Sequence, residues 1–227
     1  IDAGSNTFSE GGESANSSGA GWAFNDKIQR GVSDFNLGHN LVFNYQYDIP
    51  MFASVKSNKI GNAILGGWAL GGIYTRQSGG AYSVKLSGDR AFSGNSQASG
   101  INSSQRPMFV EGPGCHPNFA TGDLNVTLKL SCIKFPERGQ LGNLGRNTLI
   151  LPGRATVDFT LSKNYAVTEA VKVQFRLEAY NIFNHTNFGI PVVNSFDASN
   201  RANAETGRIT TTSTTSRQIQ LGLKLTF

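Results

Sequence analysis

No stretch of the 227 residues approaches the roughly 18 unbroken apolar residues that a membrane-crossing helix needs. The best candidate, Ala63 to Tyr74, is too short, and counted from Gly61 it carries five glycines. Charge is scarce as well. Only 15% of residues are Asp, Glu, Lys or Arg, which excludes a disordered chain held open by its own charge. The formal charge is +5, but Lys and Arg occur singly. A nucleic-acid surface needs a basic patch or stripe, so no nucleic-acid partner is expected. The three histidines, His39, His116 and His185, form no HxH or HExxH, and no GxSxG is present. Neither a metal, a cofactor nor an enzymatic activity is therefore expected. The chain opens on Ile1 without a charged region followed by an apolar one. It is expected to be a mature form or a fragment, and export stays open.

Cysteine is limited to Cys115 and Cys132, with no CxxC. A disulfide, a partial metal site and two buried thiols all fit this pair. Turn residues surround both, which favours a loop disulfide and an oxidising compartment. Such a bond would close about 18 residues and stabilise by about 3 kcal/mol through the unfolded chain.

What the sequence has is glycine, 27 of them, among Ser, Asn and Thr, and alternation. Residues 1–34 show no hydrophobic period and read as loop. In HNLVFNYQYDIP, Leu41, Phe43, Tyr45, Tyr47 and Ile49 alternate with Asn40, Asn44, Gln46 and Asp48, with Val42 the exception. In GGWALGGIYTRQSG, Trp68, Leu70 and Tyr74 oppose Ala69, Gly71, Ile73 and Thr75, a pattern that extends towards Tyr82 and Val84. RATVDFTLSKNY, AVKVQFRLEAYNIF and the terminal QIQLGLKLTF repeat the period of two. Five strands are predicted within residues 35–227. Residues 85–150 and 184–214 are read as long loops, the first without an obvious core. The turns near Pro50–Asn62 and Ala166–Glu169 are short.

Strands of this length can cross a bilayer when tilted, and short turns alternating with long loops suit an outer-membrane barrel. Aromatics near strand ends, Tyr47, Trp68, Tyr165, Phe183 and Phe227, fit the girdles at its two interfaces. A soluble β-sandwich also alternates, but one of this length needs more strands and shorter connections. The expected fold is all-β: an antiparallel, up-and-down transmembrane β-barrel segment. Five strands cannot close, so the segment is expected to be one arc of a larger barrel.

Several ordered stretches carry a family likeness: RGVSDFNLGHNLVFNYQYDIP, LGGWALGGIYTRQSGGAYSV, GNLGRNTLILPGRATVDFTLSKNY, VQFRLEAYNIFNHTNFGIP and GRITTTSTTSRQIQLGLKLTF. Together they resemble the C-terminal part of the Oar-like TonB-dependent outer-membrane receptors, over most of residues 26–227. The most specific pieces are Gly142–Asn147 and Phe175–His185. The resemblance implies a barrel of about 22 strands with a plugged lumen. It also implies ligand uptake energised through the TonB complex, which contacts a plug domain absent from this chain, and an N-terminal carboxypeptidase-regulatory-like sandwich, also absent here.

On that resemblance, Phe227 is similar to the C-terminal aromatic read by the barrel-assembly machinery. Val173, Phe175, Leu177, Leu221, Leu223 and Leu225 are expected to face outer-membrane lipid. Lys172, Gln174, Arg176, Glu178 and Lys224 are expected to face the lumen, meeting a plug or an anionic ligand or simply pairing with one another. The long loop 85–150 is the expected contact for an unidentified extracellular ligand. A β-rich cell-surface or adhesion protein without transport is the alternative of a different class.

Overall fold

The computed structural model describes residues 30–33, 36–50, 59–86, 90–92, 105–116, 120–123, 126–197, 199 and 201–227. Most of the expected 1–34 loop, and residues 51–58 of the first turn, lie outside the described residues. The chain divides into two compact units.

One unit comprises His39–Gln77, Arg154–Thr186 and Thr214–Phe227. It is a five-stranded sheet of β1 (Asn40–Asp48), β2 (Trp68–Gln77), β3 (Arg154–Ala166), β4 (Lys172–Tyr180) and β5 (Gln218–Thr226). Each strand pairs antiparallel with the next in the sequence, so the sheet is a meander. A nine-residue strand tilted at about 45° spans roughly 22 Å, close to the apolar height of an outer-membrane barrel. β1 and β5 form the two edges, and the sheet does not close among the described residues.

Three local features depart from the sequence reading. β2 ends at Gln77; Tyr82 and Val84 leave the sheet and are buried in the other unit. Alternation through Val84 is therefore a coincidence of period, because Ser78–Gly80 breaks the strand. The β1–β2 connection contains a seven-residue helix, α1 (Lys59–Leu65), which was not expected. Finally, β3 runs to Ala166, and the turn to β4 is Val167–Val171, closed by Val167 N–H donating to the Val171 carbonyl at 2.9 Å.

Two glycines permit close backbone approach. Gly67 has φ +72°, and a Cβ there would stand 2.1 Å from the Asn164 carbonyl oxygen. Only glycine fits both demands, and the gain is a bond from Asn164 N–H to the Gly67 carbonyl at 2.8 Å. At Gly72 a Cβ would meet the Asp158 carbonyl oxygen at 2.6 Å and the Tyr45 ring at 2.9 Å. The Tyr45 ring occupies the side-chain space that the glycine leaves open.

The other unit is built from the long connections, Ser78–Gly153 and Asn187–Ser213, with residues up to Gly38. The absence of a core expected there is overturned. Tyr82, Val84, Leu128, Cys132, Ile133, Leu144, Leu149 and Val193 are buried as one cluster. Short pairs frame it: Ala81–Tyr82 with Leu149–Ile150, Met108–Phe109 with Ile133–Lys134, and Ala120–Asp123 with Val126–Leu128. Lys85–Leu86 runs parallel to Asn194–Phe196, tying the two long connections to each other. Ser195 Oγ donates to the Lys85 carbonyl at 2.8 Å, and Lys85 N–H to the Val193 carbonyl at 2.8 Å.

Candidate functional site

Register sorts the sheet into two chemical faces. Side chains alternate along a strand, and cross-strand partners point the same way. Phe43 pairs with Tyr74, Tyr74 with Val157, Phe159 with Ala179, and Ala179 with Ile219. The same face carries Val173, Phe175 and Leu177, opposite Leu225, Leu223 and Leu221 respectively. Apart from Arg76, between Leu41 and Ala155, and Lys163, opposite Trp68, it is apolar across all five strands, and no described residue covers its edges: Phe43 is 58% exposed and Leu223 76%. A soluble fold of this size does not leave so large an apolar face in water.

The reverse face is polar. Lys172 lies opposite Thr226, Gln174 opposite Lys224, Arg176 opposite Gly222, and Glu178 opposite Gln220. Asn164, Ser162, Thr160, Asp158 and Thr156 continue it on β3. Two of its charges pair locally. Arg176 Nη2 is 3.1 Å from Glu178 Oε1, and the Tyr180 hydroxyl donates to Glu178 Oε2 at 3.1 Å. Gln174 Nε2 donates to Asn164 Oδ1 at 2.8 Å. A cleft of about 320 Å³ opens where this face meets the long-connection end, lined by Thr156, Asp158, Tyr180, Asn181, Thr214, Thr215 and Gln218. Hydroxyl and amide groups dominate it, with one carboxylate.

The aromatics at strand ends are unevenly shared. Tyr47, Trp68, Tyr165 and Phe227 all fall at the short-turn end, since Tyr47 pairs with Leu70, Tyr165 with Val173, and Phe227 follows the Thr226–Lys172 pair. Of the five, only Phe183 is at the opposite end, 76% exposed in the turn after β4.

Asn181 organises that turn. Its φ is +50°, its N–H donates to Asp158 Oδ1 at 2.9 Å, and its Oδ1 accepts from His185 N–H at 2.9 Å. Its Nδ2 reaches the carbonyls of His185 at 3.0 Å and Thr215 at 3.2 Å. Asn184, φ +51°, accepts from Arg217 N–H at 3.0 Å. The Asn-x-x-Asn spacing thus fastens the end of β4 to the approach to β5. His185 takes part through its backbone, His39 precedes β1, and His116 is exposed beside the disulfide.

In the long-connection unit, Cys115 and Cys132 are joined by a disulfide. The Gly142–Asn147 stretch holds that unit together. Asn143 Oδ1 accepts from Phe109 N–H at 2.6 Å, Leu144 is buried, and its carbonyl accepts from Arg106 Nε at 2.8 Å. Asn147 bonds Ser83 Oγ and donates to the Val32 carbonyl at 2.8 Å. Arg106 is buried too. Desolvation, with the Arg146 charge second, pushes its guanidinium down to about 10. Burial raises the Tyr82 phenol, partly offset by its hydrogen bond with Thr127.

The family model described as an outer membrane beta barrel domain matches residues 1–220. The chain belongs to that family. It is an all-β protein of the bacterial outer membrane, and its antiparallel meander is the architecture that lets backbone groups pair within a bilayer. No helix among the described residues is long and apolar enough to cross a membrane, a fact without bearing on strands. No curated protein and no solved structure matches the chain.

One feature of this barrel sheet escaped the sequence reading. Lys163 follows Ala155, Val157, Phe159 and Leu161 on the apolar face. A charge in the apolar register of RATVDFTLSK was the signal that could have revealed it.

Proposed function

We propose that this chain forms the C-terminal arc of the barrel of a TonB-dependent outer-membrane transporter, similar to the Oar-like receptors, that takes up an unidentified ligand. The observation that carries the reading is a two-faced sheet whose short and long connections alternate, with both long ones folded into a single disulfide-tied unit. The apolar face meets outer-membrane lipid through Val173, Phe175, Leu177, Leu221, Leu223 and Leu225. The polar face, with Lys172, Gln174, Arg176, Glu178 and Lys224, lines the lumen. Open edges at β1 and β5 need further strands, because an unpaired backbone edge is costly in hydrocarbon.

In this reading the chain is not an enzyme and binds no cofactor and no nucleic acid. It works by gated passage. The long-connection unit meets the extracellular ligand, the polar wall holds a plug that is not among residues 1–227, and the TonB complex acts through that plug.

The test is the native size and composition of the protein in the outer membrane. Antibody against residues 105–150 should detect a species far larger than 24.3 kDa whose peptides include a plug domain. A species near 24.3 kDa without plug peptides overturns transport. It favours the second reading, a β-rich surface or adhesion protein, which the cored unit built from long connections also suits.

A further inference from the structure

We propose that α1 is an interfacial helix, its Ile60, Ile64 and Leu65 seated in phospholipid at the headgroup–acyl boundary of the short-turn end, with Lys163 and Trp68 anchoring it there. The proposal rests on the reading that the apolar face of the sheet meets lipid.

Three observations carry it. Lys163 and Trp68 are register partners on β3 and β2, so both side chains rise from the apolar face. Both converge on the end of α1. Trp68 Nε1 donates to the Ile64 carbonyl at 2.9 Å. Lys163 Nζ donates to the carbonyls of Ile64 at 2.9 Å and Gly66 at 2.7 Å. The C-terminal end of the helix is therefore held on the apolar side of the sheet and not beneath its polar side. Second, the apolar side chains of α1 point outward: Ile60 is 72% exposed, Ile64 61% and Leu65 58%. Ile60 and Ile64 are four residues apart and share one helix face. Third, the anchors are the residue types that suit a membrane boundary. The Lys163 ammonium lies 4.8 Å from the centre of the Trp68 ring. A lysine stem can cross apolar surface while its head seeks polar partners, and the indole sits with its ring in the apolar layer and its N–H bonded.

Lipid is the occupant because the exposed side chains of α1 continue a surface that lipid already covers. The carbonyls ending α1 lack helical partners and would be costly in hydrocarbon. Lys163 and Trp68 supply donors to the one at Ile64, which makes the position tolerable at the boundary.

The test uses the protein in isolated outer membranes, with Ile64→Cys carrying an environment-sensitive nitrobenzoxadiazole label. Leu223→Cys serves as a reference on the apolar face and Lys224→Cys as one on the polar face. The label at position 64 should be quenched at least about threefold more by 5-doxyl phosphatidylcholine than by iodide, as for a side chain at a shallow depth in the bilayer. Iodide quenching at 64 with lipid quenching at 223 overturns the helix proposal and leaves the lipid-facing reading standing. Iodide quenching at both overturns both. A label at 64 that neither quencher reaches means that protein covers α1, and this too overturns the proposal. In the Ile64→Cys background, Lys163→Met keeps the apolar stem and should shift the ratio towards iodide by about twofold, as a snorkelling anchor is lost. An unchanged ratio removes Lys163 from the anchoring role.

Discussion

Leu177 stands directly opposite Leu221, near the middle of β4 and β5, while Leu225 pairs with Val173 beside the short turn. If this face meets lipid, the cost of a charge should depend on position along the strand. Leu221→Arg should destabilise the protein in phospholipid vesicles by roughly 2–4 kcal/mol, and Leu225→Arg by only about 0–1 kcal/mol. Guanidinium titration of both variants checks this. Equal costs at the two positions argue against a bilayer.

Asn181→Ala removes both side-chain donors and the acceptor that fasten the β4 turn, and leaves a backbone at φ +50° without its asparagine. The loss should be about 2–3 kcal/mol. Amide exchange at His185 should accelerate, since that N–H loses its acceptor. Asn181→Gly should lose less than alanine, because glycine accepts the left-handed conformation.

Reducing the Cys115–Cys132 bond, or replacing both residues with serine, should lower the stability of the long-connection unit by about 3 kcal/mol. Limited proteolysis reads this directly: cleavage between residues 116 and 131 should become fast. No change in cleavage would mean that the surrounding core already fixes this loop.

Tyr82 links the same unit to alkaline pH. Burial holds its phenol above the ordinary 10.0, so folding favours the neutral form. The unfolded chain releases this proton more readily. The stabilisation is thus complete below the unfolded value and is lost as pH rises through the folded one. Unfolding midpoints in guanidinium should fall above pH 10 in the parent and fall less in Tyr82→Phe. Equal slopes would place the alkaline sensitivity elsewhere.

The strands were legible because their signal is local. In VKVQFRLEAY every second residue is apolar, and a pleated strand turns that spacing into two faces without help from the rest of the chain. The candidate lumen and lipid residues on β4 and β5 follow from the same count, and register joins them across the sheet. The disulfide was one of three readings of two cysteines, and the structure brings Cys115 and Cys132 together. Where β2 stops was not legible. Tyr82 and Val84 keep its period, but they serve a core whose other members come from Leu128, Leu149 and Val193.

The sequence by itself determined five alternating strands, their opposed faces and the uneven lengths of their connections, since each is a property of neighbouring residues. Tertiary structure alone decided that the two long connections share one core, that Asn181 spans from Asp158 to Thr215, and that Lys163 is drawn to the end of α1. Such relations join segments far apart in the chain, as Ser195 and Lys85, 110 residues apart. Burial and hydrogen bonding select them only once the sheet has set the chain's reach, and no short-range period records them.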